Sequence, residues 1–400
     1  MSRFLRIIPV REAVASLLSI APDTGEETVL LSQAPLRILE RDVFADHDMP
    51  GFARSIVDGY AVIAADTAGA LESLPSIITC TGRIEMGSAD PGVIRPGECR
   101  YVPTGGMVPD GADAVVMIEY SETAGDSILV MRPAASGENI VAPDEDFKKG
   151  DLILSSGRQI LPQEAGVLAA AGILSVSVKN IPKIAVIATG NEVVPPGEIP
   201  PPGMVRDVNS IVCESFIRQY GCRPVPRGIV LDDPDALAAA IQEAVSVADA
   251  ILVSGGSSKD DRDATARVIA DLGRILVHGI AISPGKPTII GQISDCPVIG
   301  LPGHPSSAFM VLRAIVAPLL SAMSGRTIPD VVCSATLDTG IPSAKGREDY
   351  VRVRLSDTTA TPLFSKSGLL HTLVQSDGFV KVPAESEGYE AGTLVRVVLW

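Results

Sequence analysis

The chain has 400 residues, so roughly two to four domains are expected, because one hydrophobic core seldom organises that length. Hydrophobic residues make up 46% and charged residues 20%, an ordinary globular composition, and the formal net charge of −15 excludes a broad surface for nucleic-acid phosphates. An anionic ligand would have to be held in a local pocket, against the mean field of the protein.

In chain order, "MSRFLRIIPV" carries two Arg, but its apolar stretch is too short for a signal peptide. "VREAVASLLSI" (10–20) has helical apolar spacing and ends in a polar turn. Between 46 and 137, short β-rich runs at 77–81, 100–102, 114–118 and 127–131 alternate with Gly/Pro turns such as "VPDGAD". That pattern predicts a small all-β insertion. The chain then returns to mixed structure, with a helix over "LPQEAGVLAAAGI", Pro162 near its start and Gly172 near its end.

Residues 182–325 are the most legible. "KIAVIAT" (183–189) and "DAILVSGG" (249–256) read as buried strands, as do "TIIGQI" and "PVIGL". Helices are predicted over "NSIVCESFIRQYG" (209–221), "DDPDALAAAIQEAVSVA", "DATARVIADLG" and 305–323. Alternating apolar strands and helices imply a doubly wound, mostly parallel α/β domain. The tail, 326–400, returns to short alternating strands ("DYVRVRL", "GFVKVP", "TLVRVVLW"), as in a small β-barrel. The longest apolar segments, 166–178 and 308–323, fall short of the roughly 20 residues that span a bilayer, so no membrane span is expected. Six Cys without a CxxC pair read as reduced thiols of a cytoplasmic chain.

Open α/β sheets bind ligands outside the carboxyl ends of their strands. Here those ends read "TGNE" (189–192), "SGGSSKDDRD" (254–263), "SPGKP" (283–287) and "LPGHPSS" (301–307). Gly255, Gly256, Gly285 and Gly303 permit close backbone approach, Ser257 and Ser307 add hydroxyls, and Pro302 and Pro305 stiffen their loop. Any one of these loops reads as a plain turn; four at one sheet edge read as a site. None matches a P-loop or dinucleotide fingerprint. Glu192, Asp232, Asp263 and Asp207 place carboxylates at the same edge, suited to Mg²⁺ shared with substrate phosphates. Asp232 reads equally as a helix cap, since Asp-Asp-Pro is routine capping chemistry. Lys286 suits a phosphate or an oxyanion. By their local chemistry, Asp58 in "VDGYAV" and Thr104 in "PTGG" are turn residues, and His304 a structural hydrogen-bonding group.

Taken in order, "RSIVDGYAV", "PTGGMVPDGADAVVMIE", "TGNE", "RDVN", "LDDPDAL", "SGGSSKDDRDAT", "SPGKP", "LPGHPSSA", "GREDYVRV" and "SKSGLL…DGFVKVP" resemble the MoeA family, the molybdopterin molybdenumtransferases, which includes the E domain of gephyrin. The resemblance covers nearly the whole chain. It implies an elongated homodimer whose subunit holds a split N-terminal/linker domain (1–45 and 138–180), the β-rich insertion (46–137), a molybdopterin-binding-like α/β domain (181–325) and a C-terminal β-barrel (326–400). It further implies insertion of molybdate into adenylylated molybdopterin with Mg²⁺-dependent release of AMP, downstream of a molybdopterin adenylyltransferase and away from nucleic acid or membrane.

Position by position, the resemblance gives Asp58, Thr104, Asp146, Glu192, Asp263 and Lys286 catalytic roles. Glu192, Asp232 and Asp263 become the metal-binding acids. Gly255, Gly256, Ser257, Gly285, Pro302, Gly303, Pro305 and Ser307 become substrate-binding, with Arg347, Arg352 and Ser367 bordering the molybdate pocket. Many members read Lys-Pro-Gly-Lys-Pro where this chain has Ser283-Pro-Gly-Lys-Pro, one positive charge fewer. A tungstate-inserting homologue, a non-catalytic scaffold of the same fold and the preceding adenylyltransferase are the rival readings. The last of these resembles residues 182–325 alone.

Overall fold

The structure, a computed structural model, describes residues 7–88, 91–255, 259–364 and 369–400, with the backbone alone for 259–263. Two compact units emerge, one over Thr28–Ser177 and one formed by the chain on either side of it. Helix α1 (Val10–Leu18) opens the chain and buries Val10, Ala13 and Leu17, the one-face spacing of an amphipathic helix, within the second of these units.

The unit over Thr28–Ser177 is built on a six-stranded mixed sheet. Its strands are β1 (Gly59–Val62), β2 (Ser76–Arg83), β3 (Glu98–Val102), β4 (Ala114–Met117), β5 (Ser121–Ala124) and β6 (Ser127–Val130), in the order β4-β1-β3-β2-β6-β5. Alternation sends Val62, Cys99 and Val116 to one apolar cluster and Ala61, Val102 and Val115 to the other, so both faces are covered. A helix, α2 (Pro162–Ala170), follows with Pro162 at its first turn, and the left-handed Gly172 lies just beyond its end.

In the other unit, β7 (Lys183–Thr189), β8 (Arg223–Val230), β9 (Ala250–Ser254), β10 (Arg274–His278), β11 (Ile289–Ile293) and β12 (Cys296–Leu301) form a sheet of order β8-β7-β9-β12-β11-β10. The first four run parallel, and β11 is antiparallel to both its neighbours. Ile184 and Val186 of β7 face α1, α3 (Asn209–Gln219) and the long helix after β12. Ala185 and Ile187 face α4 (Pro234–Val245) and α5 (Lys259–Leu272). Helices therefore cover both faces, and the strands are apolar throughout, as double winding requires.

The long helix comprises α6 (Pro305–Val311), a π-helical segment (Leu312–Val316) and α7 (Ala317–Ser324), closed by Gly325 at φ 73°. Its 20 residues are apolar enough to cross a membrane by length and composition, yet 67% of that stretch is buried in this core. Strands β13 (Val332–Leu337), β14 (Glu348–Ser356), β15 (Thr359–Pro362), β16 (Gly378–Val382) and β17 (Leu394–Leu399) close a barrel in the order β14-β15-β13-β17-β16 and back to β14. Its interior is filled by Ala335, Val353, Val380 and Val397. Phe309 of α6 packs edge-on against Trp400, centroids 5.1 Å apart, and Trp400 lies 5.5 Å from Phe379 of β16. That stack fastens the barrel to the α/β layer. All six cysteines are free thiols, four of them buried.

Candidate functional site

Because β7, β9 and β12 are parallel, their carboxyl ends meet at one edge, and the β10–β11 connection returns to that edge because β11 runs backwards. After β7, the Thr189 hydroxyl donates to Asp232 Oδ1 at 2.9 Å and the Asn191 N–H to Asp232 Oδ2 at 3.1 Å. Asp232 N–H in turn donates to Asn191 Oδ1 at 3.1 Å. Asp232 thus braces the "TGNE" loop with both carboxylate oxygens, while Glu192 is left exposed at the edge. The neighbouring Asp233, not Asp232, caps α4, accepting from Ala236 N–H at 2.8 Å.

Glu192 lines a cavity of about 350 Å³ together with Thr189, Asp207, Asn209, Ser254 and Gly303. Gly255 and Pro305 also border it. Asp207 is buried and its Oδ1 accepts from Ser210 N–H at 3.0 Å, fixing the start of α3. Asn209, the first residue of α3, donates from Nδ2 to Ser254 Oγ at 2.7 Å and to the Gly303 carbonyl at 2.8 Å. Glycine is required at 255, where a Cβ would stand 2.8 Å from Thr189 Oγ1.

The SPGKP loop goes elsewhere. Lys286 lines a second cavity, about 480 Å³, with Ser307, Lys345 and Arg347. Among the described residues no carboxylate lines it; Lys345 pairs with Glu387 at 3.3 Å and Arg347 with Asp349 at 3.1 Å, which leaves Lys286 as the centre of a locally cationic recess in a protein of charge −15. A third cavity of about 420 Å³ adjoins, lined by Ser283, Ser306, Arg347 and Arg352. The separation has a topological cause. β10 and β11 occupy the far end of the strand order, so their connection cannot reach the cavity between β7, β9 and β12. Instead Ile282–Ser283 pairs in parallel with Glu348–Asp349 of β14, which brings the barrel's basic residues to this loop. Gly285 sits at φ 125°, where a Cβ would lie 2.6 Å from Val311 Cγ2.

Arg347 is held by Asp349 at 3.1 Å, and Asp349, 4% exposed, also accepts from Ser343 Oγ at 2.5 Å. Burial lowers the Arg352 pKa below its ordinary value, so a desolvated cation faces the third cavity. The start of the long helix joins all three recesses, with Pro305 in the first, Ser307 in the second and Ser306 in the third.

In the unit over Thr28–Ser177, Asp58 Oδ1 accepts from Thr104 N–H at 2.7 Å and from its hydroxyl at 3.1 Å. Asp146 stands 3.9 Å from the Arg54 guanidinium. Gly256, Ser257 and Ser367 lie outside the described residues, as does the side chain of Asp263. Among the described residues no group of three or more His, Cys, Asp and Glu is disposed to hold a metal ion. Two carboxylates, Glu192 and Asp207, do share the first cavity, a donor set that fits Mg²⁺ completed by ligand phosphates. Sequence reasoning passed over Asn209, which reads as an ordinary helix start, and Lys345, whose "KGR" spacing beside Arg347 was the available signal.

Three family models match the chain. They are the MoeA N-terminal region (domain I and II) over residues 8–172, the "Probable molybdopterin binding domain" over 185–322, and the MoeA C-terminal region (domain IV) over 334–400. A Bacillus subtilis protein named molybdopterin molybdenumtransferase is 31% identical over 98% of this chain and 94% of its own length. A Methanocaldococcus jannaschii protein named for molybdopterin biosynthesis is 34% identical, over 91% and 89%. Among solved structures, a molybdopterin biosynthesis MoeA protein from Pyrococcus horikoshii superposes with a TM-score of 0.88 at 36% identity, covering 98% of this chain and 99% of that one.

Proposed function

The chain belongs to the MoeA family, the transferases of molybdenum cofactor biosynthesis, and from that premise we propose that it inserts molybdate into adenylylated molybdopterin and releases AMP. One observation carries the reading: a cavity of acids, amides and glycine loops lies beside a cationic recess that no described carboxylate lines, and one helix start borders both. The two halves suit two parts of one reaction. The phosphoanhydride and its nucleoside fit the first cavity, where Glu192 and Asp207 would hold Mg²⁺. The metal would supply charge neutralisation at the phosphates.

Molybdate, a small tetrahedral dianion, suits Lys286, Lys345, Arg347 and the Ser307 hydroxyl in the second recess. A water oxygen attacks one phosphorus of the anhydride and forms a new P–O bond as the bridging P–O bond breaks, so AMP leaves with the adenosine-side phosphate, molybdopterin keeps its own phosphate, and the proton passes to solvent. Asp58, oriented by Thr104, and Asp146 are proposed to complete the site across a homodimer, and an adenylyltransferase to supply the substrate. The chain is assigned to the cytoplasm on its six free thiols. Tungstate shares the tetrahedral dianion chemistry and is the runner-up substrate.

The test is incubation of the purified protein with adenylylated molybdopterin and Mg²⁺, with molybdate, tungstate or neither, following AMP. Oxyanion-dependent AMP release that stops on chelation of Mg²⁺ is expected. A rate indifferent to either oxyanion would overturn the assignment.

A further inference from the structure

We infer that Asn209 is a positioning residue that clamps two strand-end loops at ligand-binding spacing, at the cost of a buried amide oxygen with no hydrogen-bond partner among the described residues. The amide nitrogen spends its two hydrogens on different segments, the Ser254 hydroxyl at the end of β9 and the Gly303 carbonyl after β12. A carbonyl can only accept, so the nitrogen must face Gly303 and the oxygen must turn away. That oxygen is buried and finds no donor among the described residues, and the residue as a whole is 8% exposed.

An orphaned acceptor of this kind is destabilising, so it persists only where its side chain does something no alternative can. Asn is the one short side chain with two donors on one atom. Serine offers a single donor, aspartate none, and leucine neither. The unpaired oxygen is thus the geometric corollary of the clamp. The clamp also fixes what the loops present. With its oxygen accepting from Asn209, Ser254 keeps its proton to donate elsewhere along the cavity that it lines. With the Gly303 carbonyl held toward Asn209, the trans peptide turns the His304 N–H to the opposite side. Asn209 therefore acts on the ligand through Ser254 and Gly303.

This inference rests on the proposed function only for the identity of the ligand, so the experiment has two arms. In the first, amide hydrogen exchange is measured on the free full-length protein, wild type against Asn209→Leu and Asn209→Asp. Exchange at the amides of Gly303, His304 and Ser306–Ala308 should speed by about tenfold in both variants, with the interior of α3 staying protected, because the lost clamp is local. In the second, AMP with Mg²⁺ is titrated calorimetrically. Asn209→Leu should weaken AMP about tenfold while its melting temperature changes little, since the Gly303 carbonyl that it strands is offset by the orphaned acceptor that it removes. A melting temperature that falls in step with affinity would mark a merely structural residue and overturn the inference, as would unchanged exchange. If wild-type protein does not bind AMP, the nucleotide assignment fails, and the exchange arm still decides the clamp.

Discussion

Thr104 gives Asp58 both of its donors: the backbone N–H at 2.7 Å and the hydroxyl at 3.1 Å converge on the same oxygen, Oδ1. Among the described residues Oδ2 has no partner, so the carboxylate is held by one edge and presented by the other. Removing the hydroxyl while keeping the N–H should loosen that presentation without unfolding a surface turn. Thr104→Ala is therefore expected to lower AMP-releasing turnover by about tenfold, with Thr104→Ser close to wild type. Steady-state kinetics of the two variants at matched melting temperature check it.

Lys286 is exposed and makes no ion pair among the described residues, so its charge serves the recess it lines. Lys286→Met should leave the melting temperature unchanged and raise the molybdate concentration needed for half-maximal rate by about tenfold or more. Added salt should narrow the gap between variant and wild type, because screening weakens the attraction the lysine supplies. A rate profile that ignores both the substitution and the salt would remove Lys286 from the anion site.

Asp232 braces rather than lines the first cavity, and three hydrogen bonds with Thr189 and Asn191 depend on the loop it holds. Asp232→Ala should cost about 1–3 kcal/mol in urea denaturation through the stranded donors, and AMP affinity should fall with it. This coupling of stability to binding is not expected of Asn209→Leu, so the two variants measured side by side separate a brace from a clamp.

Burial pushes the thiols of Cys99, Cys222 and Cys296 from an ordinary 9.0 up to about 12. These groups stay protonated in the folded chain and ionise in the unfolded one above pH 9, so between pH 9 and 12 the folded state binds more protons. Stability must then fall as pH rises through that window and stay flat, as far as these thiols contribute, below it. Urea midpoints on either side of pH 9 test the sign, and replacing the three cysteines by alanine should flatten the decline.

Much of the α/β domain is legible from local chemistry. "KIAVIAT" is the whole of β7, Asp-Asp-Pro starts α4, and Gly325 ends the long helix, because each signal lies within a few residues of the structure it dictates. Strand β10 and the reversed β11 were harder. "RILVH" is short, and direction in a sheet is not written in the periodicity of a strand. The candidate residues were found as chemistry at strand ends, but their grouping was not. Lys286 appears in the sequence as one more glycine-loop residue, and only the strand order sends it to the barrel's arginines.

The sequence by itself determined the order of elements, the glycine and proline loops at the strand ends, the supply of acids and cations, and the family to which that order belongs. These depend on side-chain type and short spacing, which a linear string records. Tertiary structure alone decided which loops share a cavity, that Asp232 braces while Glu192 faces out, and that Asn209 reaches a carbonyl 94 residues away. Hydrogen bonds across such separations form only once the sheet has set its strand order, so no local pattern could have announced them.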